Sequence, residues 1–219
     1  MLRGISSMAT RKILGAIGGA AAFESVGGVD AAKRVRAGED FDVVALASDA
    51  LKKLEAEGHV LAGSVAGFVL SPMALCVRAR APRPSINDEA AIKSALLGAR
   101  SIGYSTGPSG AHLVGVLKSW GLDPAAEPSR FVEAKPGIPV AASVASGAAE
   151  IGVQQLSELL GEPGIDIVGL VPAPVQSVTT FALGIGAHSK HVEAARAYIA
   201  FANAPETSAI KRELGMEPA

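Results

Sequence analysis

Short apolar stretches alternate along this chain with longer segments in which apolar residues return every three or four positions. Residues 2–5, 21–25, 43–46, 68–77, 101–104, 150–153, 165–170 and 178–187 read as strands. Residues 9–17, 30–37, 49–57, 88–99, 111–120, 140–146, 156–160, 192–203 and 205–214 read as helices. Strands alternating with helices predict an α/β fold with mixed sheets flanked by helices. The boundary residues agree with this reading. Asp30 and Asp49 stand where they can cap the following helices, Asn87 precedes 88–99, and Pro205 fits a first helical position. Gly38, Gly58, Gly121, Gly147 and Gly215 fall where helices should end.

Two proline-punctuated stretches interrupt the pattern, RAPRPS at 80–85 and PAP at 172–174. As surface loops they fit a single domain. As connectors they predict two lobes, the first from 1–79 and 178–219, the second from 80–177. A chain of 219 residues can fill either arrangement.

Composition narrows the classes. Hydrophobic residues make up 49% but aromatics only 4%, so Ala, Val, Leu and Gly must fill the core and helices must pack closely on the sheets. The net charge of −1 and the lack of a basic block argue against a nucleic-acid protein. Apolar runs such as 60–77 and 181–187 are short or broken by Gly, Ser and Pro, so no bilayer span is expected. Cys76 is the only cysteine, which excludes an intrachain disulfide and a thiolate cluster, and its setting MALCV marks it as core. The first twelve residues, MLRGISSMATRK, lack a long apolar leader core. As it stands the chain reads as cytoplasmic; it reads as periplasmic if an export signal was removed earlier.

The candidate chemistry gathers where strands run into helices. The stretch SIGYSTGPSGAHLVGVLKSW at 101–120 reads as a strand, a Gly/Ser/Thr turn over 105–110, and a helix. Free N–H groups at the helix start, with the hydroxyls of Ser105, Thr106 and Ser109, suit an anion. The Lys-Ser/Thr pair of a nucleotide P-loop is missing, which argues against nucleotide hydrolysis. His112 lies in the first turns of that helix. Four further strand ends carry small polar or amide residues: Ser6 and Ser7; Glu24 through Gly27 and Gly28; Ser48; and Gln154 with Gln155. Each alone reads more simply as a helix cap or a tight turn. Their repetition points to a ligand beyond the carboxyl ends of the strands. HExxH, CxxC, GxSxG and GxGxxG signatures do not occur, so metal, hydrolase and dinucleotide chemistry have no support, and no cofactor is expected.

Taken in order, SSMAT, ESVGGVDAAKRVRAGEDFDVVALASDAL, YSTGPSG, GVQQLSELL and AARAYIAFANAPETSAIKRELGMEP resemble the molybdate-binding branch of the type II periplasmic solute-binding proteins. The resemblance implies two α/β lobes that close on an anion by hinge motion, an ABC transporter membrane component as partner, and a monomer. It places ligand contacts on Ser6, Ser7, Gly27, Gly28, Ser48, Ser105, Thr106, Ser109 and Gln154. Three features depart from the branch: glutamines at 154–155, a short segment at 9–19, and the missing leader. Amide donors suit a carboxylate at least as well as molybdate. The branch has relatives resembling aconitate isomerase, which implies a second possibility, proton transfer on an unsaturated polycarboxylate with Glu24, His112 and Tyr104 as its candidates.

Overall fold

A computed structural model describes residues 1–135 and 137–219. In chain order the strands are β1 Leu2–Ser7, β2 Ala21–Val26, β3 Val43–Ala47, β4 Ala66–Ser71, β5 Met73–Arg78, β6 Ile102–Tyr104, β7 Phe131–Glu133, β8 Ile151–Gln155, β9 Ile165–Leu170, β10 Thr179–Ile185 and β11 Glu217–Pro218. The helices are α1 Arg11–Ile17, α2 Gly28–Arg36, α3 Ser48–Ala56, α4 Glu89–Gly98, α5 Pro108–Ser119, α6 Val140–Ala145, α7 Leu156–Leu159, α8 Val192–Ala202 and α9 Ser208–Glu213. The chain divides into two compact units, Met1–Ser71 with Thr179–Ala219, and Pro72–Val178.

The first unit is built on a six-stranded sheet in the order β11-β4-β10-β3-β1-β2. β1 runs parallel to β2 and β3, while β10 is antiparallel to β3 and β4. Strand β3 is apolar throughout because both of its faces are covered. Val43 and Ala45 join a core with Phe68, Leu183 and Tyr198, while Val44 and Leu46 join another with Ile5, Phe41 and Leu51. The second unit carries a five-stranded sheet in the order β7-β6-β8-β5-β9. Met73, Leu75 and Val77 face one core with Leu113 and Leu117, and Ala74 and Cys76 face another with Val140 and Val144. Gly152 lets α6 approach β8: a Cβ there would lie 2.7 Å from Val144 and 2.9 Å from the Cys76 sulfur. Burial pushes the Cys76 thiol up to about 12, which makes it inert.

Several boundaries differ from the expectation. The single strand expected at 68–77 is two, β4 and β5, separated by Pro72, which brings no N–H to a ladder. The division between the units falls at that proline and at Val178–Thr179, and both proline-rich stretches, 80–85 and 172–174, lie inside the second unit. Helices α2 and α3 start earlier than expected, capped by Gly27 and Ala47, and Asp30 and Asp49 sit in their first turns. The cap of α4 is Asp88, whose carboxylate accepts from the Ala91 N–H at 2.8 Å, and not Asn87. Pro205 opens a short 3-10 turn ahead of α9. Strands β7 and β11 have three and two residues, too few to leave a periodic signal.

Candidate functional site

In the first unit the parallel strands β1, β2 and β3 end together, and each feeds a helix or helical turn. Ser6 and Ser7 close β1 and alternate between its faces. The Ser6 hydroxyl pairs with that of Ser25 on β2 at 2.7 Å, in line with the strand register. Ser7 differs. Its hydroxyl is buried and has no hydrogen-bond partner among the described residues, although the residue precedes a 3-10 turn and would be its natural cap. Its Cβ lies 3.6 Å from where a Cβ on Gly28 would stand, so Ser7 sits against the start of α2. The first bond of that helix runs from the Ala31 N–H to the Gly27 carbonyl at 2.9 Å. The N–H groups of Gly28, Val29 and Asp30 precede it and point out of the helix end. Ser7, Gly27 and Gly28 are thus brought together. Ser48 opens α3 at the same end of the sheet, after β3.

Glu24, in β2, is engaged elsewhere. Its two oxygens accept from the Arg34 guanidinium at 2.5 and 3.0 Å, and Arg34 also binds Glu39 twice at 2.7 Å. The hydrogen bond from Arg34, more than any other cause, holds the Glu24 carboxyl below its ordinary range. Glu24 is an ion-pair partner here, and a carboxylate so stabilised is a weak base.

In the second unit, β6 ends at Tyr104 and loop 105–110 leads into α5. The Ser105 hydroxyl accepts from the Gly107 N–H at 3.3 Å and lies 3.2 Å from the Ser109 hydroxyl. Gly110 is required: a Cβ there would stand 1.6 Å from the Ser105 carbonyl oxygen. Helix α5 makes its first bond from the Ala111 N–H to the Gly107 carbonyl at 3.1 Å, which leaves the Ser109 and Gly110 N–H groups outside the helical ladder. Ser105, Thr106 and Gly110 also line a pocket of about 500 Å³ with Tyr104, Lys118 and Glu133. Burial raises the Tyr104 phenol, and the charge and hydrogen bond of Glu133 raise it further.

The other two candidates are bound into the fold. The His112 Nε2 lies 2.9 Å from the Val175 carbonyl. A carbonyl can only accept, so Nε2 carries the hydrogen. Gln154 was expected beyond a strand end and is in fact inside β8, buried. Its oxygen accepts from the Val140 N–H at 2.8 Å, and its amide nitrogen donates to Glu158 at 2.6 Å. It therefore caps α6. Sequence reasoning missed Glu133 and Lys118, because Glu133 lies in the unforeseen β7 and Lys118 reads as an ordinary charge on a helix.

Among the described residues no group of three His, Cys, Asp or Glu side chains is placed to hold a metal, and no helix is long and apolar enough to cross a membrane. The donors at both strand-end clusters are neutral hydroxyls and helix N–H groups. The profile of the family described as bacterial extracellular solute-binding protein matches residues 18–217. The chain belongs to this family. Aconitate isomerase from Pseudomonas sp. is 37% identical over 189 residues, covering 84% of this chain and 70% of that protein. Among solved structures, the periplasmic molybdate-binding protein of Azotobacter vinelandii superposes with a TM-score of 0.82 at 21% identity, covering 100% of both chains. The tungstate ABC transporter structure from Geobacter sulfurreducens gives 0.72 at 18% identity over 97% of each chain. At these identities the two structures establish a shared solute-binding fold.

Proposed function

We propose that this solute-binding protein receives a small anion on neutral donors. Each unit carries its own set of such donors: in the first, the Ser7 hydroxyl and the start of α2; in the second, the hydroxyls and N–H groups of loop 105–110. The buried, unpartnered Ser7 hydroxyl beside an open helix N-terminus carries this reading. A buried hydroxyl without a partner costs free energy, and an acceptor on a ligand would remove that cost. Helix N-termini supply favourable potential for negative charge without a counter-cation. The molybdate-binding and tungstate-transporter structures of the same fold support an oxyanion. The family supports work outside the cytoplasm and delivery to an ABC transporter. Calorimetry with molybdate, tungstate, sulfate, citrate and trans-aconitate tests the reading, with the single Trp120 at the end of α5 as a fluorescent reporter. Saturable binding is expected for at least one anion, weakened about tenfold or more in Ser7→Ala. No heat with any of them at millimolar concentration overturns it.

The relationship to aconitate isomerase supports a second reading, double-bond migration in an unsaturated polycarboxylate. A pocket of about 500 Å³ falls in the range that takes organic acids. With Glu24 committed to Arg34, Tyr104 and Glu133, which line the same pocket, are the better placed proton-transfer pair. Proton NMR of trans-aconitate incubated with the protein decides between the readings. Conversion that is lost in Tyr104→Phe supports an isomerase; tight binding without conversion supports a receptor.

A further inference from the structure

Two side chains link the anion loop to both places where the chain passes from one unit to the other, and neither reading above uses that link. His112 lies three residues beyond Ser109 on α5, and its Nε2 donates to the Val175 carbonyl at 2.9 Å. Val175 is buried in the segment 171–178, which leads to the passage at Val178–Thr179. The next residue, Gln176, spends its amide on backbone. Its oxygen accepts from the Met73 N–H at 2.7 Å, and its nitrogen donates to the carbonyls of Met73 at 3.0 Å and Val171 at 2.8 Å. Met73 stands just after the other passage, at Ser71–Pro72. All of these residues belong to the second unit, so the connection is internal to it.

We propose that His112 and Gln176 are positioning residues that transmit the state of loop 105–110 to both crossing segments. The proposal rests on the reading of that loop as an anion contact. Within a helical turn the backbone is rigid, so a shift of the α5 N-terminus carries the imidazole with it. A buried carbonyl does not give up its donor without cost, so Val175 follows the ring. Pro172 and Pro174 lie just before that position and leave the segment few soft dihedrals to absorb the movement. Gln176 then passes the displacement to Met73, the residue at which β5 starts. His112 acts here through its hydrogen bond and has no part in proton transfer.

Hydrogen–deuterium exchange of peptides covering 72–75, 105–112 and 171–178 tests this on the whole protein. Without ligand, His112→Leu should speed exchange of 171–178 about fivefold, the worth of one hydrogen bond, and His112→Gln, which keeps a donor, should restore it. Gln176→Leu should speed 72–75 and leave 105–112 unchanged. With saturating molybdate or trans-aconitate, all three peptides should slow in the wild type and in His112→Gln, but only 105–112 in His112→Leu. Wild-type exchange in ligand-free His112→Leu, or retained protection of 72–75 and 171–178 in that variant with ligand, overturns the proposal. If neither probe binds the wild type, the anion reading falls and transmission falls with it. The ligand-free comparison then still shows whether the tie exists.

Discussion

At the scale of single residues, Ser7 and Gly110 make opposite demands on the fold. The Ser7 hydroxyl is buried without a partner, so removing it takes away a desolvated polar group and leaves the helix start intact. Ser7→Ala should therefore hold the ligand-free stability or raise it by up to about 1 kcal/mol, while anion affinity falls. Denaturant unfolding and calorimetry on the same sample check both signs, and a loss of stability equal to the loss of binding would make Ser7 structural. Gly110 has no such freedom. The Ser105 carbonyl occupies the place of its side chain, 1.6 Å from an ideal Cβ. Gly110→Ala must push loop 105–110 off the start of α5, at a cost of about 1–3 kcal/mol by the usual penalty for overpacking. It should also abolish the binding contribution of that loop. Unfolding midpoints with a binding titration check this, and a variant that binds normally would mean that the loop is not used.

At the scale of elements, the end of α4 shows how a helix that is not followed by a left-handed glycine is finished. Its last turn leaves carbonyls unpaired, and Arg130, from the turn before β7, donates to those of Leu96, Leu97 and Ala99. The guanidinium also places positive charge at the negative end of the helix. Arg130→Met should destabilise the protein by about 1–3 kcal/mol, and Arg130→Lys should recover only part, since an ammonium cannot reproduce the planar fork. Urea unfolding of the three proteins checks the order. Nothing local in the sequence announces this contact, because its partners are more than thirty residues apart. What the sequence shows well is of another kind. Strand β3 is legible because four successive apolar residues need cover on both faces. The strand-to-helix turns at 27–28 and 105–110 are legible because Gly, Ser and Thr have few other uses there. The place of Gln154 is not legible, because an amide within an apolar strand reads as the strand's end, whereas its partner, the start of α6, lies fourteen residues earlier. The ion pair of Glu24 is hidden for a similar reason: Arg34 reaches it from α2 across the sheet edge, and ten residues of spacing carry no signal of that pairing.

At the scale of the whole molecule, the charged groups sort by sign into two pH windows. Glu24, Glu39, Asp42, Glu57, Glu150 and Asp166 all have carboxyls held below their ordinary range, by arginine partners, backbone N–H groups or the Ser189 hydroxyl. A carboxyl depressed in the folded state binds fewer protons there than when unfolded. Its stabilisation is complete above the ordinary values of 4.5 for Glu and 3.8 for Asp, and is lost as pH falls through the folded value. Stability should therefore drop on acidification below this range, and Asp42→Asn should flatten the drop more than Glu57→Gln, because Asp42 is the more buried. On the alkaline side Lys211 makes one contribution. Its ammonium is buried on α9, donates to the Phe68 carbonyl at 3.0 Å and Asn203 at 3.3 Å, and lies 4.5 Å from the Phe68 ring centre. Desolvation lowers its pKa below 10.5. The folded state thus loses its proton before the unfolded state does, so this group's destabilising effect is full at neutral pH and fades as pH rises toward 10.5. Tyr198 has the opposite sign: burial raises its phenol to about 12, so stability it lends is present below the ordinary value of 10 and lost as pH climbs from there toward 12. Cys76 has the same sign as Tyr198 and acts from a lower pH, because burial raises its thiol from 9.0 to about 12. Midpoints of thermal unfolding should therefore fall as pH climbs past 9, with the fading Lys211 penalty opposing that fall. In Lys211→Met the alkaline fall should steepen, and an unchanged slope in that variant would mean that the buried ammonium does not contribute to it.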